Sequence, residues 1–314
     1  MYDLVIIGAG PGGLSAGLYA ARARLNVLIL EKGGIGGQIA ITDIIENYPG
    51  SLVGEKESGP SLTERMRKQV ETFGGKIQKA EVKDVDFDDK IKKITLNNGD
   101  VIETKAVIIA TGANPRKLNV PGEKEFTGKG VSYCATCDAD LFTDLEVFVV
   151  GARNSAVEEA TYLADFARKV TVLVRREKLR CDEIVAERAK KKDNLEFKYY
   201  TSIKEIQGEG MLNRLVFVNN QTKEEWVYDA DEDDGLMGVF VFIGTNPNST
   251  LFEGKVDMTD EGYIVTDEKM MTNKDLVFAV GDVRDTPLRQ VVTAASDGAI
   301  AAVSAEKIIK ALDY

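Results

Sequence analysis

Histidine is absent from this chain of 314 residues. Without an imidazole the chain has no Ser–His or Cys–His catalytic dyad, and it has no zinc site of two cysteines and two histidines. Cysteine is also scarce: the three are Cys134, Cys137 and Cys181, too few for a four-cysteine zinc site in one protomer. The sequence therefore predicts no metal site.

Long apolar runs are missing too. No run of roughly 18 consecutive apolar residues is present to span a bilayer. Met1 leads directly into Tyr2-Asp3-Leu4-Val5-Ile6-Ile7, which is typical of a strand rather than of a signal peptide. The net charge of −11 argues against nucleic acid and anionic membrane surfaces as partners. We expect a cytoplasmic protein with neither partner.

The first 31 residues predict a βαβ unit. An apolar strand ends at Ile7, glycines follow at positions 8, 10 and 13, a helix is expected over residues 14–24, and a second strand ends at Glu31. In this GxGxxG pattern Gly8 permits a tight turn, Gly10 lets the backbone approach a pyrophosphate, and Gly13 allows close packing of helix on strand. Glu31 is placed to accept hydrogen bonds from ribose hydroxyls. The pattern predicts dinucleotide binding.

The middle of the chain predicts a meander of short strands over residues 76–85, 91–96 and 101–104. Another apolar strand then ends in Ala110-Thr111-Gly112, which indicates a return to the main sheet and the nucleotide. A buried strand with a plain turn is the alternative at this point.

A second βαβ pattern starts near Glu146. A strand is followed by Gly151-Ala152-Arg153-Asn154-Ser155-Ala156 at the phosphate-loop position, a helix over roughly 155–166, and a strand over 169–174. The last segment holds Gly281-Asp282 and a closing helix from about 289 to 312. We predict an α/β protein with two Rossmann-like three-layer nucleotide-binding domains, the second inserted into the first. The expected bounds are 1–115 and 244–314 for the first domain and 116–243 for the second.

The tetrad Cys134-Ala135-Thr136-Cys137 precedes Asp138 directly. Two thiols at this spacing can close a small disulfide, and the carboxylate supplies a proton donor and acceptor for thiol–disulfide exchange. A pair that shares a metal, or an inert pair, is the alternative. Cys181 is predicted to be an ordinary thiol in the following helix or loop.

These patterns together resemble the low-molecular-weight thioredoxin reductases, which are FAD-containing disulfide oxidoreductases. The resemblance covers essentially the whole chain. The segments that carry it are Gly8–Gly13, Gly36-Gly37-Gln38, Glu46-Asn47-Tyr48-Pro49-Gly50, Ala110-Thr111-Gly112, Cys134–Asp138, Gly281-Asp282 and 289–295.

The resemblance implies FAD as cofactor, thioredoxin as substrate and a homodimer. It implies that Cys137 faces the flavin, that Cys134 attacks the thioredoxin disulfide and that Asp138 is the acid–base group. The cofactor-binding residues that it implies are Gly8, Gly10, Pro11, Gly13, Glu31, Lys32, Gly37, Gln38, Asn47, Ala110, Thr111, Gly112, Gly281, Asp282, Arg289, Gln290 and Val291.

The second phosphate loop departs from the NADPH-using members of the family. Arg153 stands where the second motif glycine is expected, and Val174 replaces the histidine before Arg175, Arg176 and Arg180. In one hypothesis NADPH still binds, with the three arginines on its 2′-phosphate. In the other, Arg153 blocks the pyrophosphate and electrons come from reduced ferredoxin, as in a ferredoxin-dependent branch that is similar in having lost these motifs. We favour ferredoxin from the sequence.

The basic segment 168–192 agrees with an acidic donor such as ferredoxin, although solvated helix faces explain it equally well. Two further functions stay open from the sequence. One is reduction of a different disulfide substrate, such as a peroxiredoxin-linked module. The other is a non-catalytic FAD-binding protein that senses redox state through Cys134 and Cys137.

Overall fold

The computed structural model describes residues 1–42, 45, 47–51 and 57–312, and these form a mixed α/β structure, which confirms the predicted class. The strands are β1 Tyr2–Ile7, β2 Val27–Glu31, β3 Lys76–Lys79, β4 Val82–Asp86, β5 Lys92–Leu96, β6 Val101–Ile109, β7 Ala113–Pro115, β8 Val131–Ser132, β9 Glu146–Val150, β10 Lys169–Val174, β11 Leu195–Tyr199, β12 Thr201–Glu209, β13 Met211–Asn219, β14 Glu225–Asp229, β15 Gly238–Val241, β16 Thr245–Pro247 and β17 Val277–Ala279.

The α-helices are α1 Pro11–Arg22, α2 Gly59–Thr72, α3 Glu123–Phe126, α4 Ala135–Asp138, α5 Asn154–Leu163, α6 Glu183–Lys190 and α7 Val291–Leu312. Short 3₁₀ turns occur at Gly37–Ile41, Ala139–Phe142, Thr250–Phe252 and Gly281–Val283. Within the described residues, no helix is both long and apolar enough to cross a membrane.

The chain divides into two compact units, 1–114 with 246–314 and 115–245. In the first unit, β3, β2, β1, β6 and β17 are parallel neighbours, and β5 and β4 continue the sheet antiparallel beyond β6. Helices α1, α2 and α7 pack on one face of this sheet, because Leu4, Ile6 and Ile108 point to that side. The alternate residues Val5, Ile7 and Ile109 form a second core on the other face.

The second unit repeats this layered arrangement. Its sheet has the order β11-β10-β9-β15-β8 with parallel neighbours, and β12, β13 and β14 form a separate antiparallel sheet. Val147, Val149 and Val172 face α5 and α6, whereas Phe148 and Leu173 face the antiparallel sheet. Helices, parallel sheet and antiparallel sheet are thus three layers. The connecting strands β7 and β16 pair with each other.

Several predicted element bounds were wrong. Strand β6 is continuous over Val101–Ile109, although the sequence predicted two strands there, because its first half pairs antiparallel with β5 while its second half runs parallel to β1. The predicted strand 76–85 is split into β3 and β4, which pair with different neighbours. Helix α1 begins at Pro11 rather than at 14, α5 spans Asn154–Leu163 rather than 155–166, and α7 begins at Val291.

Candidate active site

The carboxyl ends of four parallel strands meet at one edge of the first unit's sheet. Gly8 follows β1, Glu31 ends β2, Ala110 follows β6, and Gly281 follows β17 after one residue. Open α/β sheets bind their ligands at this edge. The topology therefore brings together residues that are far apart in the sequence.

Two glycines of the first loop are required by close packing. Gly8 has a φ of +112°, and a Cβ there would lie 2.3 Å from the carbonyl oxygen of Ala110. A Cβ on Gly13 would lie 2.0 Å from the carbonyl oxygen of Gly8. The loop, the start of α1 and the end of β6 consequently pack without room for a side chain.

Packing within the chain does not require a glycine at position 10. It has extended backbone at the N-cap of α1, with Pro11 as the first helical residue, and a Cβ there would meet only the Cα of Gly37, at 4.0 Å. A Cβ on Gly112 would meet nothing within 4 Å. A side chain at position 10 would therefore occupy space that is open beside the N-terminus of α1.

Glu31 holds the glycine-rich loop after β1 through hydrogen bonds. Its carboxylate accepts hydrogen bonds from the backbone N–H groups of Ala9, at 2.8 Å, and Gly33, at 2.7 Å. A carboxylate has about four lone-pair positions, so two more are available for ribose hydroxyls. Lys32 beside it is exposed.

A chain of amide side chains crosses the same edge. Gln38 donates to the side chain of Asn114, which donates to that of Asn248 at 2.8 Å. Asn248 in turn donates to the carbonyl oxygen of Thr111 at 2.9 Å. The Asn47 amide donates to the Gln290 side chain at 3.2 Å, while Glu46, its neighbour in the family pattern, lies outside the described residues.

Asp297 is a residue of this edge that the sequence analysis missed. It is buried on α7, and its Oδ2 accepts hydrogen bonds from Gly281 N at 3.1 Å and from Arg284 Nη1 at 3.2 Å. It thereby fixes the turn that presents Asp282. An aspartate among the small residues of an otherwise apolar helix was the available signal, but its partner could not be inferred without the packing of α7.

Asp282 and Arg289 add two further charged groups to this edge. Burial raises the pKa of Asp282 to about 6, with the charge of Asp297 acting in the same direction and Arg289 opposing it. The Arg289 guanidinium lies 4.2 Å from the centre of the Tyr263 ring. Its Nε is buried without a hydrogen-bond partner among the described residues, which leaves a donor for an additional acceptor.

The redox pair belongs to the second unit. Cys134 and Cys137 form a disulfide in which Cys134 is the N-cap of the short helix α4 and Asp138 is its last residue. Both sulfurs and the carboxylate are on half-buried residues. The Asp138 carboxylate accepts a hydrogen bond from Ser132 Oγ at 2.5 Å, and the Thr136 hydroxyl lies 3.5 Å from the Cys134 sulfur.

The residue before the pair is held separately. Tyr133 donates its hydroxyl to Glu123 at 2.8 Å, and the same buried carboxylate accepts from the backbone N–H groups of Leu118 and Asn119. Lys117 Nζ lies 5.1 Å from the centre of the Tyr133 ring. These contacts tie the entry to the redox pair to the body of the unit.

The second phosphate loop opens on a cavity of about 680 Å³ lined by Arg153, Asn154, Ser155, Glu158, Arg180 and Asp182. Arg153 has extended backbone at the N-cap of α5, and its side chain is exposed. It lines this cavity. Arg153 and Arg180 are thus the two arginines that line the cavity at the phosphate loop.

A second cavity of about 470 Å³ shares Arg180 and is lined also by Arg175, Arg176 and Tyr200. Asn220 donates to the carbonyl oxygen of Arg175 at 3.2 Å and so holds this wall. Within the described part of the chain, no ion pair joins Arg153, Arg175, Arg176 or Arg180 to an acidic side chain. Their charges are available to an anion.

Cys181 lies in the segment between β10 and α6 and packs against the unit's core. Burial raises the pKa of its thiol, which lowers the fraction of reactive thiolate at neutral pH.

Comparison with known proteins decides the family. The model of the pyridine nucleotide-disulphide oxidoreductases matches residues 2–298. The thioredoxin reductase of Peptoclostridium litorale is 53% identical over 312 residues, which cover 99% of this chain and 98% of that protein. The chain belongs to the FAD-containing, low-molecular-weight thioredoxin reductases.

Other thioredoxin reductases agree. That of Bacillus subtilis is 42% identical over 313 residues, covering 99% of this chain and 96% of that protein. The crystal structure of thioredoxin reductase from Streptococcus pyogenes is 41% identical, with a TM-score of 0.92 and 99% of each chain covered. Family membership makes the protein an FAD-dependent disulfide oxidoreductase.

The first unit fits FAD. The open space beside Gly10 suits a pyrophosphate at the N-terminus of α1, where the helix presents unpaired N–H groups and partial positive charge. The free lone pairs of Glu31 suit ribose hydroxyls, and the unpartnered Nε of Arg289 awaits an acceptor. The role of each predicted cofactor-binding residue stays a prediction. The fold places the backbone segments that contain them at the carboxyl-end edge of the first unit's sheet.

Proposed function

We propose that this thioredoxin reductase transfers electrons from NADPH, through FAD and the Cys134–Cys137 pair, to the disulfide of thioredoxin. Bound FAD would supply the two electrons that reduce this disulfide. The relatives' shared name supports thioredoxin as the substrate, and the family's description supports a pyridine nucleotide as the donor. The homodimer and the cytoplasmic location stay predictions.

The observation that supports NADPH as the electron donor is the set of four unpaired arginines around the two cavities. NADPH has a pyrophosphate and a 2′-phosphate, and arginine binds phosphate oxygens through two parallel hydrogen bonds. Arg153 lies at the phosphate loop, where it would pair with the pyrophosphate, and Arg175 and Arg176 lie at the far cavity, where the 2′-phosphate would lie. Arg180 lines both cavities.

The preference for ferredoxin is not supported by the comparisons, which favour the nicotinamide alternative. Three of the ten basic residues in the segment 168–192 also form ion pairs within their own unit. Arg168 pairs with Asp234 at 2.6 Å, Lys169 pairs with Glu146 at 3.0 Å, and Lys192 pairs with Asp165. Less positive charge is therefore left to attract an acidic protein than the sequence indicates.

The resemblance to the family, and not the exchange chemistry, implies the order in which the two sulfurs act. The Cys134 thiolate attacks the thioredoxin disulfide, so that one S–S bond forms as another breaks and the departing sulfur takes a proton. The Cys137 thiolate then attacks Cys134 and releases the second thioredoxin sulfur, which also takes a proton. The enzyme pair loses two electrons, thioredoxin gains two electrons and two protons, and Asp138 transfers protons during the exchange.

Anaerobic reduction of the flavin tests the donor. Micromolar NADPH should bleach the flavin absorption band rapidly, NADH should need a much higher concentration, and reduced ferredoxin should be slow. Arg175→Ala should weaken NADPH binding and reduce the preference over NADH, because it removes a 2′-phosphate ligand. Arg188→Ala is the matched control, since Arg188 is exposed on α6 and lines neither cavity. Bleaching by reduced ferredoxin alone would overturn the proposal.

A further inference from the structure

Ser132 is a buried hydroxyl beside the redox pair that neither the sequence patterns nor the proposed roles use. It is the last residue of β8, pairs with Phe240 of β15, and is 5% exposed. The pairing of β8 with β15 thus fixes the backbone of Ser132 just before the turn that contains Cys134.

The Ser132 hydroxyl contacts both ends of the redox turn. Its Oγ accepts a hydrogen bond from Cys134 N at 3.1 Å and lies 2.5 Å from Asp138 Oδ2. Cys134 O is farther away, at 3.2 Å. A hydroxyl has one hydrogen, and a carboxylate is a stronger acceptor than a carbonyl, so Ser132 donates to Asp138.

We propose that Ser132 is a positioning residue for the acid–base step of thioredoxin reduction. Its hydroxyl fixes the position of the Asp138 carboxylate and at the same time binds the backbone of the redox pair. The inference rests on the proposed function, because Asp138 must be the group that takes the proton. A hydrogen bond to a carboxylate favours its charged form over the protonated form.

This role differs from that of the neighbouring Tyr133, whose hydroxyl donates to the buried Glu123 and so anchors the chain. Loss of an anchor lowers activity equally at every pH. Loss of the donor to Asp138 raises the pKa of that carboxyl and moves the acid side of the pH–rate profile.

Ser132→Ala should shift the acid limb of kcat/KM for thioredoxin upward by about one pH unit, with FAD content and disulfide formation unchanged. Ser132→Thr keeps the hydroxyl and should restore the wild-type profile. Ser132→Gly provides a second chain without the hydroxyl in case the alanine variant fails to retain FAD. Ser61→Ala, on the exposed first turn of α2, is the matched control and should leave the profile unchanged.

A double-substitution cycle separates this inference from the proposed function. Asp138→Asn alone should slow turnover by about 10²–10⁴-fold. Adding Ser132→Ala to that chain should cost nothing further if Ser132 acts through Asp138. A uniform loss of rate with an unmoved acid limb, or costs that multiply in the double variant, would overturn the role of Ser132 alone. An Asp138→Asn chain with full turnover would overturn the acid–base assignment itself.

Discussion

Cys134 and Cys137 are three residues apart and joined in the structure, yet their environments differ. Cys134 lies at the start of α4 with the Thr136 hydroxyl 3.5 Å from its sulfur, whereas Cys137 lies within the helix next to Asp138. The order in which the two sulfurs act is therefore a property of individual residues and needs a test on each.

Each cysteine-to-serine substitution should abolish thioredoxin reduction, because exchange needs both sulfurs. The Cys137→Ser chain, with Cys134 reduced, should capture the disulfide of oxidised thioredoxin as a mixed disulfide that cannot be resolved. Cys134→Ser is the matched chain and should capture much less. Non-reducing gels and intact mass measure the adduct, and capture by Cys134→Ser alone would show that the roles are reversed.

Asp282 should make the FAD-free protein less stable at neutral pH. Its pKa is raised from 3.8 to about 6 in the folded chain, so its favourable contribution is complete below pH about 4 and is lost as the pH rises through 6. Asp282→Asn should then raise the free energy of unfolding by about 1–2 kcal/mol at pH 7 and by almost nothing near pH 4.

Urea unfolding across this pH range measures the effect. Asp260→Asn is the control, because Asp260 is an exposed carboxyl in a turn of the same unit. A gain that is equal at pH 4 and pH 7 would mean that burial of the Asp282 charge is not its cause.

Helices α1 and α7 determine the geometry of the first phosphate loop. Ser15 of α1 donates to the carbonyl oxygen of Ala295 at 2.6 Å, and a Cβ on Gly298 would lie 2.2 Å from the carbonyl oxygen of Gly12. The two helices thus approach to backbone contact next to the turn that begins at Gly8.

Gly298→Ala should push α7 away from α1. Overpacking of this kind costs about 1–3 kcal/mol, and the displaced loop should bind FAD more weakly. Ser296→Ala, at an exposed position of the same helix, is the control and should alter neither property. The FAD content per chain and the midpoint of thermal unfolding measure these two effects. Wild-type values for Gly298→Ala would show that the helices can move apart with no loss of stability or of FAD binding.

The two units differ in how the chain builds them. The second is the continuous segment 115–245, with cores on both faces of its own parallel sheet. The first requires β17 and α7 from the end of the chain to complete the sheet and the helix layer that 1–114 begins. Completeness of a core within one stretch of chain is what permits independent folding.

The fragment 115–245 should therefore fold alone, melt cooperatively and form the Cys134–Cys137 disulfide, whereas 1–114 alone should neither fold nor bind FAD. Circular dichroism on heating, thiol titration and FAD retention distinguish the two. An unfolded 115–245 fragment would show that its sheet depends on the rest of the chain.

The sequence by itself determined the features of this protein that depend on local sterics. Glycines at 8 and 13 are needed because any Cβ would strike backbone, and two cysteines three residues apart can reach each other through one short turn. The apolar strands before each loop likewise predicted two nucleotide-binding patterns and the α/β class, because strands buried on both faces have no polar alternation.

Contacts between distant segments were decided only by the tertiary structure. Asp297 meets Gly281 because α7 packs over the turn after β17, and Asn248 meets Thr111, which is 137 residues away in the sequence, just after the end of β6. The sequence could not show where the Arg153 side chain lies; in the structure it is exposed and lines a cavity. A residue type restricts its own backbone, whereas its partner and the direction of its side chain depend on which elements pack around it.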